Sequence, residues 1–186
     1  MVLNLNIDFV RAEVTQEKLA LLQAVFDAHD KAARNNQNAS SGAAMNAFIG
    51  SGILANGIAS AVMTLGHRHG PITEARLIYE EICEWALKTG VENEARIAGF
   101  GNSFFKDSID PAWNEVAEII ERQFPNAHAR IKQLQTWLSE CGKNLFPNAA
   151  MYTAVACSEL DMIHGSEAAI FVIARTAAWT SSCISL

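Results

Sequence analysis

Cysteine, proline and tyrosine are scarce in this sequence, and charged residues, at 18%, fall below the usual quarter of a globular domain. The four cysteines, Cys83, Cys141, Cys157 and Cys183, show no Cys-x-x-Cys spacing, which argues against a thiolate zinc site or a disulfide framework. Each sits in an apolar-periodic segment, where a free thiol packs as a small hydrophobe. No metal site is expected. The first residues, Met1 to Asn6, lack the basic stretch and apolar run of a secretory signal, so the expected location is cytoplasmic with the thiols reduced. Lysine and arginine number 14 against 20 acidic residues, a net charge of −6. That balance argues against nucleic acid as a partner, because counterion release needs a basic surface. An anionic ligand would have to be met by a local cluster of cations.

Charge is missing altogether between Arg34 and His67. A membrane-spanning helix needs about 20 predominantly apolar residues, and the centre of this run, residues 43–65, is diluted by Gly, Ser, Asn46 and Asn56. The expectation is one closely packed uncharged helix and no membrane partner. Gly50, Gly52, Gly57 and Ala61 would let another helix approach, in the core or at a subunit interface.

What the sequence does contain is apolar residues, 50% of 186, enough for the core of one ordinary domain. Residues 1–14 alternate loosely and read as an N-terminal arm or short edge strand. Helical spacing of Leu19, Leu22, Val25 and Phe26 predicts a first amphipathic helix from about Thr15 to Ala33. The amide-rich Arg34 to Asn38 breaks it, and Asn38 or Ser40 would cap the uncharged helix. After Gly66-His67-Arg68-His69-Gly70, Pro71 suits the start of another helix, with Leu77, Ile78, Ile82, Trp85 and Ala86 on its apolar face and Gly90 at its end. Its Glu-rich side, with Arg76 and Glu80, reads as solvated. Asp110-Pro111 starts a helix carrying Trp113, Val116, Ile119 and Ile120. Pro125 separates it from the next, which runs to Gly142. Pro147 opens a helix to about Ile163, and Ser166 would cap the last one, followed by a neutral packed tail from Trp179 to Leu186. Helical patterns without βαβ alternation or repeats give an all-α class and a single domain, 1–186.

Several short motifs stand in one order along the chain. Asn38-Ala39-Ser40-Ser41 is similar to the Asn-Ala-Ser-Thr of the citrate synthase and citryl-CoA lyase family. His69-Gly70-Pro71-Ile72-Thr73-Glu74-Ala75 resembles its His-Gly-Gly-Ala-x-Glu-Ala. Ile97-Ala98-Gly99-Phe100-Gly101 resembles Ile-x-Gly-Phe-Gly-His without the last residue, with Lys106 and Asp110-Pro111 at matching places. Pro147-Asn148 with Tyr152 resembles Pro-Asn-Val-Asp-x-Tyr, and Phe171 to Trp179 resembles Phe-x-x-x-Arg-x-x-Gly-Trp. The set runs from about Val25 to Trp179.

The resemblance implies a citrate-synthase-like helical fold reduced to a minimal core. It assigns His69 as the group that stabilises an enol oxygen. The family's second catalytic histidine falls at Asn102, which can donate a hydrogen bond but transfers no proton at neutral pH. Its catalytic aspartate falls at Ala150, which offers no base. Arg175 matches the arginine that grips a substrate carboxylate, His29 matches a further substrate histidine, and Lys106 a basic substrate-binding position; Ala112 stands where an arginine follows Asp-Pro. From the residues alone, Asp161, Glu159 or Glu167 could serve Arg175 as structural partners, and His69 could be a capping or core histidine.

The leading expectation is a member that has lost catalysis and acts as a helical structural, assembly or binding subunit. It would be a homodimer or larger homo-oligomer, joined through the uncharged helix 43–65 and the C-terminal tail. It would require no cofactor. The alternative is a divergent synthase or lyase acting on citrate, oxaloacetate or an acyl-CoA. In that case coenzyme A is implied, His69 remains functional, and Tyr152, His67 or a bound water replaces the missing groups. A third expectation is a sensor that holds citrate or another polycarboxylate through His29, His69 and Arg175.

Overall fold

A computed structural model describes residues 14–34, 38–66, 69–81 and 97–185. The expected N-terminal arm, His67, Arg68, Cys83, Gly90 and the later part of the helix after Pro71 lie outside these residues. Eight α-helices form among the described residues: α1 (Gln16–Arg34), α2 (Ala39–Ser51), α3 (Leu54–Met63), α4 (Ile72–Glu81), α5 (Asn114–Gln123), α6 (Pro125–Glu140), α7 (Ala149–Glu159) and α8 (Glu167–Ile184). A 3-10 turn, Pro111–Trp113, precedes α5. Two isolated bridges, Gly66 with His69 and Phe100 with Pro147, are the β-type pairing seen among them. The chain is all-α.

α1 lies against α8, α5 and α7, while α4 packs along α7 and α3 along α8. This places the apolar stripe of α1, Leu21, Leu22, Val25 and Phe26, in the main core with Trp113, Val116, Ile120, Leu134, Leu138, Met151 and Val155. A second cluster, Ala44, Ala61, Ile72, Ala75, Ala154, Phe171, Trp179 and Cys183, joins α2 and α3 to α8. α7 is buried almost all round, as its run of small and apolar residues requires.

Three expectations are corrected. The uncharged stretch 43–65 is two helices, because α2 ends at Gly52 in the left-handed region (φ 66°) with its N–H bonded to the Phe48 carbonyl, a C-terminal geometry that suits glycine. α3 then folds back so closely that a Cβ on Gly57 would lie 2.9 Å from the Ala44 carbonyl oxygen. The last helix does not give way to a tail at Trp179: α8 continues to Ile184, with Trp179 and Cys183 fully buried, as a packed end requires. The Glu-rich side of α4 is not simply solvated, since Arg76 is buried and bonds Glu167 Oε1 at 2.8 Å and Glu80 Oε1 at 2.7 Å.

Smaller departures follow the same logic. α7 stops at Glu159, short of Ile163, where the chain turns through Asp161 at φ 50°. Asn38 does cap α2, accepting from the Ser41 N–H at 3.0 Å. Ser166 stands at the N-cap of α8 without a capping bond; its hydroxyl donates to the Ile163 carbonyl. Cys141 is exposed, Cys157 and Cys183 are buried, and all three are free thiols.

Candidate functional site

Each of the motifs contributes residues to one cavity of about 1340 Å³. Its wall combines Asn38 before α2, the corner His69-Gly70-Pro71, the segment Phe100-Gly101-Asn102, Asp110 and Trp113, Asn148 to Ala150 at the head of α7, and Phe171 and Arg175 from α8. Backbone pairing holds the two facing loops together. Gly101 N–H donates to the Phe146 carbonyl at 2.8 Å and Asn148 N–H to the Gly99 carbonyl at 2.9 Å. The Asn148 side chain donates to the Gly101 carbonyl and accepts from Ala150 N–H, both at 2.9 Å. Gly99 sits at φ 86°, and a Cβ there would lie 2.7 Å from Met151 Cε. Only glycine meets both demands without strain.

Asn38 secures the histidine corner from the other side. Its Oδ1 accepts from the Ser40 hydroxyl at 2.8 Å, so the Ser40 oxygen is left to accept from His69 Nε2 at 3.0 Å. A hydroxyl has one proton to give, and this assignment makes His69 Nε2 the donor. Burial, aided by the positive charge of Arg175, pushes the His69 pKa down to about 4, so at pH 7 the ring is neutral and Nδ1 keeps its lone pair. The ring meets Phe171 edge-on at 5.5 Å.

Arg175 is 4% exposed and lies over the Phe171 ring at 4.0 Å. Its Nε donates to His29 Nδ1 at 3.2 Å, and its buried Nη1 has no hydrogen-bond partner. The carboxylates expected as structural partners are taken up elsewhere: Glu167 by Arg76 and Glu159 by the Tyr79 hydroxyl. Asp161 is exposed in the turn after α7. Burial lowers the Arg175 pKa to about 10 against the opposing pull of Asp110. A guanidinium withdrawn from water, with Asp110 acting on it electrostatically but no carboxylate hydrogen-bonded to it, favours an incoming anion.

The remaining candidates divide. Asn102 and Ala150 both face the cavity. The Asn102 Oδ1 is engaged by the Phe104 N–H at 2.9 Å, leaving its amide N–H groups as donors, and the Ala150 methyl supplies no chemistry. His29 is fully buried and stands behind Arg175, outside the wall; Lys106 is exposed and also outside it, while Lys143 contributes instead. Tyr152 is buried against Trp113, ring to ring at 5.8 Å, and burial raises its pKa. Sequence reasoning passed over Thr153, whose hydroxyl meets His29 Nε2 at 2.8 Å. Its one signal was a polar residue within the apolar run Ala149 to Cys157. Among the described residues no group of His, Cys, Asp and Glu is arranged to hold a metal ion, and no helix is long and apolar enough to cross a membrane.

A family model described as citrate synthase, C-terminal domain, matches residues 31–185. The chain belongs to the citrate synthase family. The citrate synthase of Thermotoga maritima shares 26% identity and a TM-score of 0.77, over 91% of this chain and 49% of that one. Citryl-CoA lyase from Hydrogenobacter thermophilus gives 19% identity and a TM-score of 0.74, over 92% and 70%. The Thermoplasma acidophilum citrate synthase, solved as a ternary complex with carboxymethyl coenzyme A and oxaloacetate, gives 19% and 0.71, over 93% and 49%. The chain thus spans about half the length of the two citrate synthases and more of the lyase. No curated protein matches the sequence.

Proposed function

We propose that this member of the citrate synthase family binds a carboxylate at Arg175 without performing carbon–carbon bond chemistry, and works as a helical subunit of a homo-oligomer. The observation that carries the reading is the buried Arg175 guanidinium: the residue lines the cavity, and its Nη1 is buried without a hydrogen-bond partner. Such a group is costly unless an anion completes it. The rest of the wall offers hydrogen bonding through Asn102, Asn148 and His69 but no base at Ala150. A general base contributes typically 10²–10⁴ in rate. No cofactor is part of this reading.

Isothermal titration with citrate, beside a citryl-CoA cleavage assay, tests it. Binding without turnover is expected, with binding lost in Arg175→Leu. Turnover that disappears in His69→Ala would establish instead the divergent synthase or lyase, to which coenzyme A belongs. The bond between Ser40 and His69 favours that second reading in one respect. If the Ser40 proton turns from Asn38 Oδ1 to His69 Nε2, Nδ1 becomes a donor suited to an enol oxygen.

A further inference from the structure

The bonds behind Arg175 have a direction at every step. The Thr153 hydroxyl donates its single proton to the Ala149 carbonyl at 2.7 Å. Its oxygen therefore accepts the His29 Nε2–H, 2.8 Å away. The other ring nitrogen, Nδ1, accepts from Arg175 Nε at 3.2 Å. A guanidinium has donors only, so this bond cannot run the other way, and the ring is neutral with its proton on Nε2. Burial and the adjacent Arg175 charge both hold the imidazole pKa well below its ordinary value. Trp113 at 4.8 Å and Phe171 at 5.0 Å fix the ring plane from two sides. His29 is fully buried and outside the cavity wall that Arg175 helps to form.

We propose that His29 is a positioning residue: the chain Ala149–Thr153–His29 fixes the plane of the Arg175 guanidinium and leaves Nη1, which has no hydrogen-bond partner, to a ligand carboxylate that His29 never touches. The inference rests on the carboxylate-binding reading above and assigns His29 a place behind the site rather than in it. Bonded at Nε and stacked on Phe171, the guanidinium has lost most of its freedom before a ligand arrives. Less ordering then remains to be done on binding.

Histidine and arginine ¹⁵N NMR of the full chain without ligand tests the arrangement. At pH 7 it should show His29 neutral, protonated at Nε2 and bare at Nδ1, with an Arg175 Nε–H protected from exchange. A doubly protonated ring, or a proton on Nδ1, overturns the proposal. Citrate titration of variants tests the consequence. His29→Gln, which keeps one donor and one acceptor, should bind within about threefold of wild type, while His29→Leu should bind at least about tenfold more weakly. Thr153→Val should weaken binding severalfold and shift the ring proton off Nε2. It keeps the shape of the side chain should His29→Leu not fold. Equal loss in the Gln and Leu variants, or none in either, overturns the positioning role. Wild-type protein with the expected ring state that binds no citrate overturns the carboxylate reading, and intact citrate binding with the wrong ring state overturns the His29 assignment alone.

Discussion

His29 and His69 are both neutral in the native protein, one bonded to Thr153 and Arg175, the other to Ser40. Desolvation comes first in each case and the Arg175 charge second. In the unfolded chain both would titrate near 6.5, whereas the folded values lie lower, about 4 for His69. Below pH 6.5 the unfolded state therefore binds more protons. Stability should be complete above that pH and fall as pH drops toward the folded values, by up to about 1.4 kcal/mol per pH unit for each ring. Urea unfolding between pH 7.5 and 5 measures this, and His29→Gln should flatten the slope by roughly one ring's share. The sequence singled out His69 and Asn38-Ala39-Ser40-Ser41 by resemblance to a known motif order, but did not show that they meet. It could not give the protonation of either ring, because that depends on which neighbour takes the single hydroxyl proton of Ser40 and of Thr153.

At the scale of the helices, one carboxylate joins α4 to α8. Glu167, fully buried at the start of α8, accepts from Arg76 and from Thr73 on α4 and from the Gly165 N–H at 2.9 Å. The helix carrying Arg175 is thereby tied to the helix that follows His69. Glu167→Gln removes the charge but keeps an acceptor oxygen, and Arg76 retains Glu80, so the variant should lower stability by about 1–3 kcal/mol in chemical denaturation, and the citrate affinity should weaken with it as the two walls of the cavity lose registry. Gly57→Ala tests the other joint: its methyl would press on the Ala44 backbone oxygen and should cost about 1–3 kcal/mol. Helical periodicity located the start of α4 but put the exposed Leu77 on its apolar face and assigned Arg76 to a solvated side. A 3.6-residue period marks where apolar side chains recur, and it carries no information about a second layer of helices closing over the polar ones.

At the scale of the molecule, the hairpin of α2 and α3 exposes Ile49, Ile53, Val62 and Met63 at 64, 54, 36 and 83%, on a stretch without a formal charge from Ala39 to Met63. The homo-oligomer proposed above would bury these groups, since a contiguous exposed apolar patch is what an association surface requires. Size-exclusion chromatography with light scattering should report a homo-oligomer, and the double variant Ile49→Asp with Met63→Asp should shift it toward monomer while the helical signal persists. A wild-type monomer at micromolar concentration would refute the assembly role. The sequence by itself determined the all-α class, the family and most helix starts, because capping residues, prolines and helical periodicity act within a few residues of one another. Tertiary structure decided the rest. It broke the uncharged run at Gly52, buried the C-terminal helix in its own chain, and gave Glu167 to Arg76. Arg175 was left with a neutral histidine, since only packing determines which buried charges meet and which remain for a ligand.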